Sequence, residues 1–326
     1  MPAPSSSLAT LRPDITDSFT EFDLEMNFNG LIAAKVFPVF DVPKASGNFG
    51  KIPIEQLLQK RNTLRAPGSG YSRGNWTFEP DTYITQEYGA EEPVDDNQAE
   101  MYSDYFDAEV VSGARARSAV LMNAEERVAA AVFNPSVWAG AALSTSVSNE
   151  WDDAANATPI DDVFGAKHLI WDGSGLHANA LIINWKVLDN LKNCEQVIER
   201  INSQGAGNPS KPDDINEAML RAVFGLQHII VAGAALNSAN EGQPASIASP
   251  WSGEYAMVCR IATSNDFREP CIGRTFHWAQ DGSSYGGTAE SYRDETVRAD
   301  IIRVRHQVGE KRLYTQAGHL LTNITT

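Results

Sequence analysis

DYFDAEVVSGARARSAVLMNAEERVAAAVF, residues 104–133, is the stretch that decides the fold. No proline interrupts it. Phe106, Val110, Ala114, Arg117, Leu121, Ala124, Val128 and Ala131 recur at steps of three or four, the spacing of one helical face. At about 1.5 Å per residue such a helix would run roughly 45 Å. Arg115, Arg117, Glu125, Glu126 and Arg127 make it too polar to span a membrane. The stripe is narrow and rich in alanine. One side is therefore expected to pack on a sheet, the other to stay wet or meet a neighbouring chain. The ordinary alternative is the core helix of a globular enzyme.

Upstream, an acidic run over residues 91–96 leads toward this helix. Negative charge ahead of a helix N-terminus favours the dipole, and Asp104 is the expected cap. Residues 76–84 alternate as a strand does. Before them, residues 43–76 are crowded with glycine, proline and serine, and carry Lys44, Lys51, Lys60, Arg61, Arg65 and Arg73 against the single acid Glu55. A basic segment that cannot bury a core of its own, in so acidic a chain, predicts a projecting loop that docks on an acidic surface. A solvated surface loop is the plainer alternative. Residues 1–20, rich in serine, proline and alanine, are expected to order only against something else.

Downstream, residues 134–158 are loop-like and residues 160–171 predict a second amphipathic helix. ALIIN (180–184) and HIIVA (228–232) are short, wholly apolar strands of the kind buried on both faces. Between them stand two short helices that break near Asn193, and a third opened by Asp213 and ended by Gly225. EYAMVCRI (254–261) adds another strand, so residues 158–262 predict a compact α/β unit. From 293 onward the alternation of Val297, Ile301, Val304 and Val308, a turn at Gly309-Glu310, and residues 313–321 predict a closing antiparallel pair. Such a pair needs cover, and the long helix is the evident source.

The 326 residues suffice for a sizeable core. A net charge of −16 argues against general nucleic-acid binding. Cys194, Cys259 and Cys271 are an odd, unpaired set, expected to stay reduced in a cytoplasm. No secretion signal or membrane-length apolar run is present. Gly47-Asn48-Phe49-Gly50-Lys51 lacks the spacing and the serine or threonine of a phosphate loop. Gly68, Gly70 and Gly74 miss the dinucleotide fingerprint. The six histidines have no ligand spacing. No catalytic residue, metal or cofactor is expected.

The order of the blocks is what carries a resemblance. KVFPVFDVPKASGNFGKI, TLRAPGSG, DTYITQEYGAEEPVDD, the long helix, ALIINWKVLDNLKNCEQVIERI, LQHIIVAGAALNSANEG and ESYRDETVRADIIRVRHQVGEKRLYTQAGHLLTNIT together resemble the major capsid proteins of tailed bacteriophages, with the Hong Kong 97-type fold. The resemblance implies an α+β chain in five parts. These are an N-terminal arm and lead-in (1–42), an extended loop (43–76), a peripheral domain (77–143) whose spine is helix 104–133, an axial domain (144–274), and closing peripheral strands (275–326). It implies a structural protein that assembles with itself into hexamers and pentamers of an icosahedral head around double-stranded DNA, in the host cytoplasm and then the virion. A separate scaffolding protein, a portal and a decoration protein are the further expected partners. The loop's Lys44, Lys51, Lys60, Arg61, Arg65 and Arg73 are expected to contact acids of an adjoining subunit, with Glu91, Glu92, Asp95 and Asp96 as candidates. The alternatives are an encapsulin-like compartment of the same fold and, from another class, a cytosolic α/β enzyme using a cleft around residues 180–232.

Overall fold

The computed structural model describes residues 10–12, 14–16, 30–51, 53–75, 77, 79–102, 107–203, 214–240 and 242–325. The long helix spans Ala108–Val132, roughly 38 Å at 1.5 Å per residue. Its cap is Asp107, whose carboxylate accepts from the N–H groups of Glu109 and Val110 at 3.0 and 3.4 Å. The expected cap Asp104, like Phe106, lies outside the described residues. Ala114, Arg117, Ala124 and Val128 of the expected face are buried, joined by Gly113, Ala116, Val120, Glu125, Ala129 and Val132. Small residues dominate this stripe, so the helix backbone can approach what lies beneath.

The strands, in chain order, are β1 (Thr10–Leu11), β2 (Val39–Asp41), β3 (Ser46–Lys51), β4 (Glu79–Ile84), β5 (Gln86–Asp95), β6 (Ser144–Ser146), β7 (Ala180–Asn184), β8 (His228–Ala232), β9 (Leu236–Asn237), β10 (Ile247–Ala248), β11 (Tyr255–Cys259), β12 (Gly273–His277), β13 (Thr288–Asp294), β14 (Ala299–Arg312) and β15 (Gly318–Thr322). The first sheet is organised on β14. It pairs with β5 from Gln86↔Val308 to Asp95↔Ala299, with β13 through its first half and with β12 through its last. Ile302, Val304, His306 and Val308 are buried while Arg303, Arg305 and Gln307 are half-buried, the two-residue period of a pleated strand. The long helix lies on β5 and β14, with Ala116 packed among Val94, Ile302 and Val304.

Two sequence expectations fail here. Gly309-Glu310 is not a turn: β14 continues through it, with Gly309 opposite Phe276. A Cβ on Gly309 would stand 2.2 Å from the Ile84 carbonyl oxygen, so this glycine permits a close backbone approach inside a sheet. The hairpin turn comes earlier, at residues 295–298, where Arg298 takes φ +49° and Asp294 accepts from the Thr296 N–H at 2.9 Å. The acidic run is likewise no lead-in. Glu91, Glu92 and Asp95 belong to β5, and Asp96 opens a short helix, Asp96–Tyr102.

The second sheet has the order β6-β15-β11-β7-β8. The final strand β15 therefore leaves the closing segment and pairs with β11. Leu181, Ile183, Ile229, Val258 and Leu321 turn to one face, covered by helices Pro159–Ser174, Trp185–Asn193, Glu195–Ser203 and Glu217–Phe224. Ile182, Ile230, Met257 and Leu320 turn to the other. There they meet Val128, Ala129 and Val132 of the long helix and the lead-in helix Ala33–Val36. The two apolar strands and the helix stop at Gly225, with φ +59°, fall where the sequence puts them. That helix opens on Asn216, which accepts from the Met219 N–H at 3.0 Å; Asp213 lies outside the described residues. The long helix thus contributes its first half to one sheet's core and its second half to the other's.

Candidate assembly surfaces

Among the described residues no group of three or more His, Cys, Asp or Glu side chains could hold a metal ion. No described helix is long and apolar enough to cross a membrane, and all three cysteines are free and buried. The features that distinguish this chain are a projecting loop and a set of buried charges that seat the long helix.

The loop rises on an antiparallel ribbon, β3 against β4, from Ser46↔Ile84 to Lys51↔Glu79. Gly47-Asn48-Phe49-Gly50-Lys51 is thus strand, paired with residues 79–83 of β4, rather than a phosphate-binding loop. Phe49 and Tyr83 pack on Phe276 from this ribbon, the latter stacked at 4.8 Å. Beyond it, residues 58–75 are exposed throughout. The six predicted contact cations therefore divide. Lys44, Lys60, Arg61, Arg65 and Arg73 are exposed. Lys51 sits at the root, where its ammonium donates to the Leu313 carbonyl at 3.2 Å and lies 5.2 Å from the Tyr314 ring. Its part in the ribbon is to fasten the loop to its own chain.

The four predicted acids lie close together on β5 and just after it, and their own chain engages them unequally. Asp96 forms a two-pronged pair with Arg293 at 2.6 and 2.7 Å. The geometry matches the guanidinium fork, and Arg293 holds the Asp96 carboxyl below its ordinary range. Asp95 accepts from the Asn97 N–H at 2.9 Å, starting the short helix. Glu91 and Glu92 lie 3.9 Å from Arg303 and Arg115 respectively, and Glu91 also accepts from the Tyr292 hydroxyl at 3.3 Å. Further along the same sheet, Glu290 takes Arg303 and Arg305 together, and Arg305 reaches Asp281 at 2.9 Å. Burial opposes ionisation of Glu290, but these arginines outweigh it and hold the carboxyl low.

Beneath the helix lie groups that periodicity alone does not reveal. Arg127 stacks on Tyr88 at 3.7 Å and pairs with Glu310 at 2.7 Å. Below it, on β14, His306 is wholly buried between Tyr88 and Tyr285, with centroids 6.2 and 6.0 Å away. Among the described residues neither ring nitrogen finds a hydrogen-bond partner. Burial, helped by the positive charge of Arg127, lowers its pKa to about 4. Arg117 is buried too, donating to the Gly286 carbonyl at 2.8 Å.

Glu125 ties the halves together. One carboxylate oxygen accepts from the Ile32 N–H at 2.9 Å and from the Trp251 indole at 2.7 Å. The other accepts from the Ala33 N–H at 2.8 Å. It therefore caps the lead-in helix Ala33–Val36 from the side while holding the loop before β11. Burial raises its pKa, against the lowering effect of the three N–H groups. The sequence did place Arg117 on the packed stripe. Glu125 adjoins Ala124 there, and a carboxylate in that register was the available signal.

No protein-family model matches the chain, and no curated protein sequence does. Solved structures do. A phage-related protein from Bordetella bronchiseptica RB50 superposes with a TM-score of 0.69 at 19% identity, over 97% of this chain and 98% of that one. The capsid of cyanophage P-SCSP1u gives 0.58 at 12% identity, covering 88% and 86%. The fold is that of Hong Kong 97-type capsid proteins. The encapsulin of Synechococcus elongatus PCC 7942 shares it, with a TM-score of 0.51 at 9% identity over 89% and 86%.

Proposed function

We propose that this chain is the major capsid protein of a tailed double-stranded DNA bacteriophage, a structural protein whose copies form the hexamers and pentamers of an icosahedral head. The observation that carries this is the extent of the shared architecture. The chain superposes over 97% of its length on the phage-related protein and over 88% on the cyanophage capsid. In the terms of that fold, the first sheet with the long helix is the peripheral domain, the second sheet with its helices is the axial domain, and residues 43–76 are the extended loop. The shell assembles in the host cytoplasm with a scaffolding protein and portal, binds a decoration protein, and encloses DNA without reading its sequence.

A loop that buries no core gains order by lying on a neighbour, so assembly stabilises it. Its exposed cations contact acids of the adjoining copy, with Glu91 and Glu92, whose own arginines stand 3.9 Å away, as candidates on β5. Alanine in place of Lys60, Arg61 and Arg73 is expected to leave the monomer folded and to impair shell formation. Normal shells from that variant would remove the ionic contact.

The shared encapsulin fold favours a second use of the same shell, enclosing a cargo protein. Negative-stain electron microscopy of the chain, expressed alone and then with its neighbouring genes, tests both. Closed shells tens of nanometres across are expected. A lumen holding scaffold or DNA supports the phage head, and one holding a single enzyme supports the compartment. A uniform dimer or tetramer under every condition would refute both.

A further inference from the structure

The outer edge of the second sheet is an open strand set among positive charges. β8 ends the order β6-β15-β11-β7-β8, and its pairing with β7 is parallel. The His228 N–H donates to the Asn179 carbonyl at 2.9 Å. The main chain of His228 therefore faces β7, and by the alternation of a strand so do Ile230 and Ala232. The main-chain groups of Ile229 and Val231 point the other way, out of the sheet. Among the described residues no other segment of the chain pairs with them. Such an edge is a template for one more strand. A cavity of about 520 Å³ runs along it, lined by residues 228–231. On one face of the sheet it is bounded by Ile32 and Lys35 of the lead-in segment, on the other by Glu217 and Arg221 of helix Glu217–Phe224.

The charge around this edge runs against that of the whole chain. Net charge is −16, yet Lys35, Arg221 and His228 line the cavity against Glu217 alone. Lys35 and His228 are exposed. The Nε of Arg221 is buried and has no hydrogen-bond partner among the described residues. A second cavity, of about 450 Å³, shares Thr263 with the first and adds Lys167, His177 and Arg260. Arg260 stands 3.7 Å from Glu269. Lys167 donates to the Phe224 and Gly225 carbonyls at 2.9 and 3.1 Å, contacts that orient the ammonium without cancelling its charge. An extended peptide supplies both things this edge lacks. Its main chain pairs with Ile229 and Val231, and acidic side chains on it meet the cations. A nucleic-acid strand brings the charge but not the alternating donors and acceptors that a strand edge pairs with. We propose that the β8 edge binds an extended, acidic segment of a partner polypeptide, which joins the five-stranded sheet as a sixth strand and sets carboxylates against Lys35 and Arg221. The site uses neither the extended loop nor a second copy of the chain, so it goes beyond the shell assignment and does not depend on it.

The probe is a short fluorescein-labelled peptide of alternating valine and glutamate, titrated with the purified full chain and followed by fluorescence anisotropy. Saturable binding that weakens as salt is added is expected. The same peptide with lysine for each glutamate should not bind, and neither should the acidic peptide N-methylated along its backbone, which keeps the charge and loses the pairing. Lys35→Gln with Arg221→Gln should hold the melting temperature and weaken binding about tenfold or more. Val231→Pro removes one outward N–H and spares the ladder to β7, so it should abolish binding. No binding of the acidic peptide to the wild-type chain overturns the proposal and leaves the shell assignment standing. Equal binding of the N-methylated peptide overturns the added strand and leaves only a charged patch. Undiminished binding to the double glutamine variant places the peptide elsewhere and overturns the site. A single-stranded oligothymidine that displaces the peptide and binds as tightly would give the cleft to nucleic acid, and overturns the proposal too.

Discussion

His306 offers a sharp test of how the long helix is seated. The ring lies under Arg127 and between two tyrosines, with both nitrogens unpartnered, and its pKa falls from 6.5 to about 4. Between those values the unfolded chain takes up a proton that the folded chain refuses. Stability therefore rises with pH across this window; the contribution is present above 6.5 and is lost as pH falls toward 4. At about 1.4 kcal/mol per pH unit the whole window is worth about 3.5 kcal/mol, and at pH 4.5 about 2.5 kcal/mol is already gone. His306→Phe keeps the ring's shape and loses no hydrogen bond. The variant should be at least as stable as the wild type near pH 7.5 and more stable by about 2.5 kcal/mol at pH 4.5. Urea unfolding of both chains across pH 4.5–7.5 reads this as diverging midpoints, on the order of 1 M apart at the acid end. Carboxylates such as Glu290 and Asp281, held low by arginines, titrate in both chains and cancel. Parallel midpoint curves would refute the picture of a neutral, buried imidazole beneath Arg127.

Other positions give independent checks. Glu125→Gln turns an NH₂ group toward one of the three N–H donors it now accepts from and should cost about 1–3 kcal/mol. Trp251→Phe, which loses one of those bonds but keeps the ring's edge contact with Phe133 at 5.0 Å, should cost less; the reverse order in urea midpoints would show that Glu125 is not the hub. Gly309→Ala forces a Cβ toward the Ile84 carbonyl and should cost about 3 kcal/mol. By contrast Gly165→Ala, in helix Pro159–Ser174 with nothing within 4 Å of the added Cβ, should gain about 0.5–1 kcal/mol. Equal effects at the two glycines in calorimetry would mean that the crowding at Gly309 is relieved by movement.

Much of the fold was legible because its elements are short and chemically uniform. ALIIN is buried throughout, and Ile229 and Ile230 of HIIVA are buried on opposite faces, so neither needs a partner pattern to be recognised. Gly225 can hold φ +59° where a side chain would strain. Elsewhere a residue type had two physical uses. Glycine at 309 permits close packing and reads as a turn, while the true turn uses Arg298 and the Asp294 side chain. The acids of β5 and Asp96 read as a lead-in to the helix because their arginines, on β13, on β14 and on the long helix itself, are remote in sequence or register. Lys51 was legible as a cation but not as a root anchor, since its acceptor is a carbonyl 262 residues on.

The distribution of charge follows one logic across the molecule. The long helix must serve two cores with a stripe of small residues, which offers little apolar area for each. Arg117, Glu125 and Arg127 supply what the stripe lacks, each reaching a different segment: residues 286, 32–33 with 251, and 310. Hydrogen bonds to buried charges demand their geometry, because a lost partner leaves a desolvated ion. They hold the two sheets in one fixed relation to the helix. In the proposed shell, such rigidity would let a subunit present its ribbon at a repeatable angle to identical copies. A shell closes only if that angle recurs. The loop follows the opposite rule: its polar contacts are local, as in the Ala66–Ser69 turn and the Arg65 contact to Ser69, so its tip is shaped by its own residues.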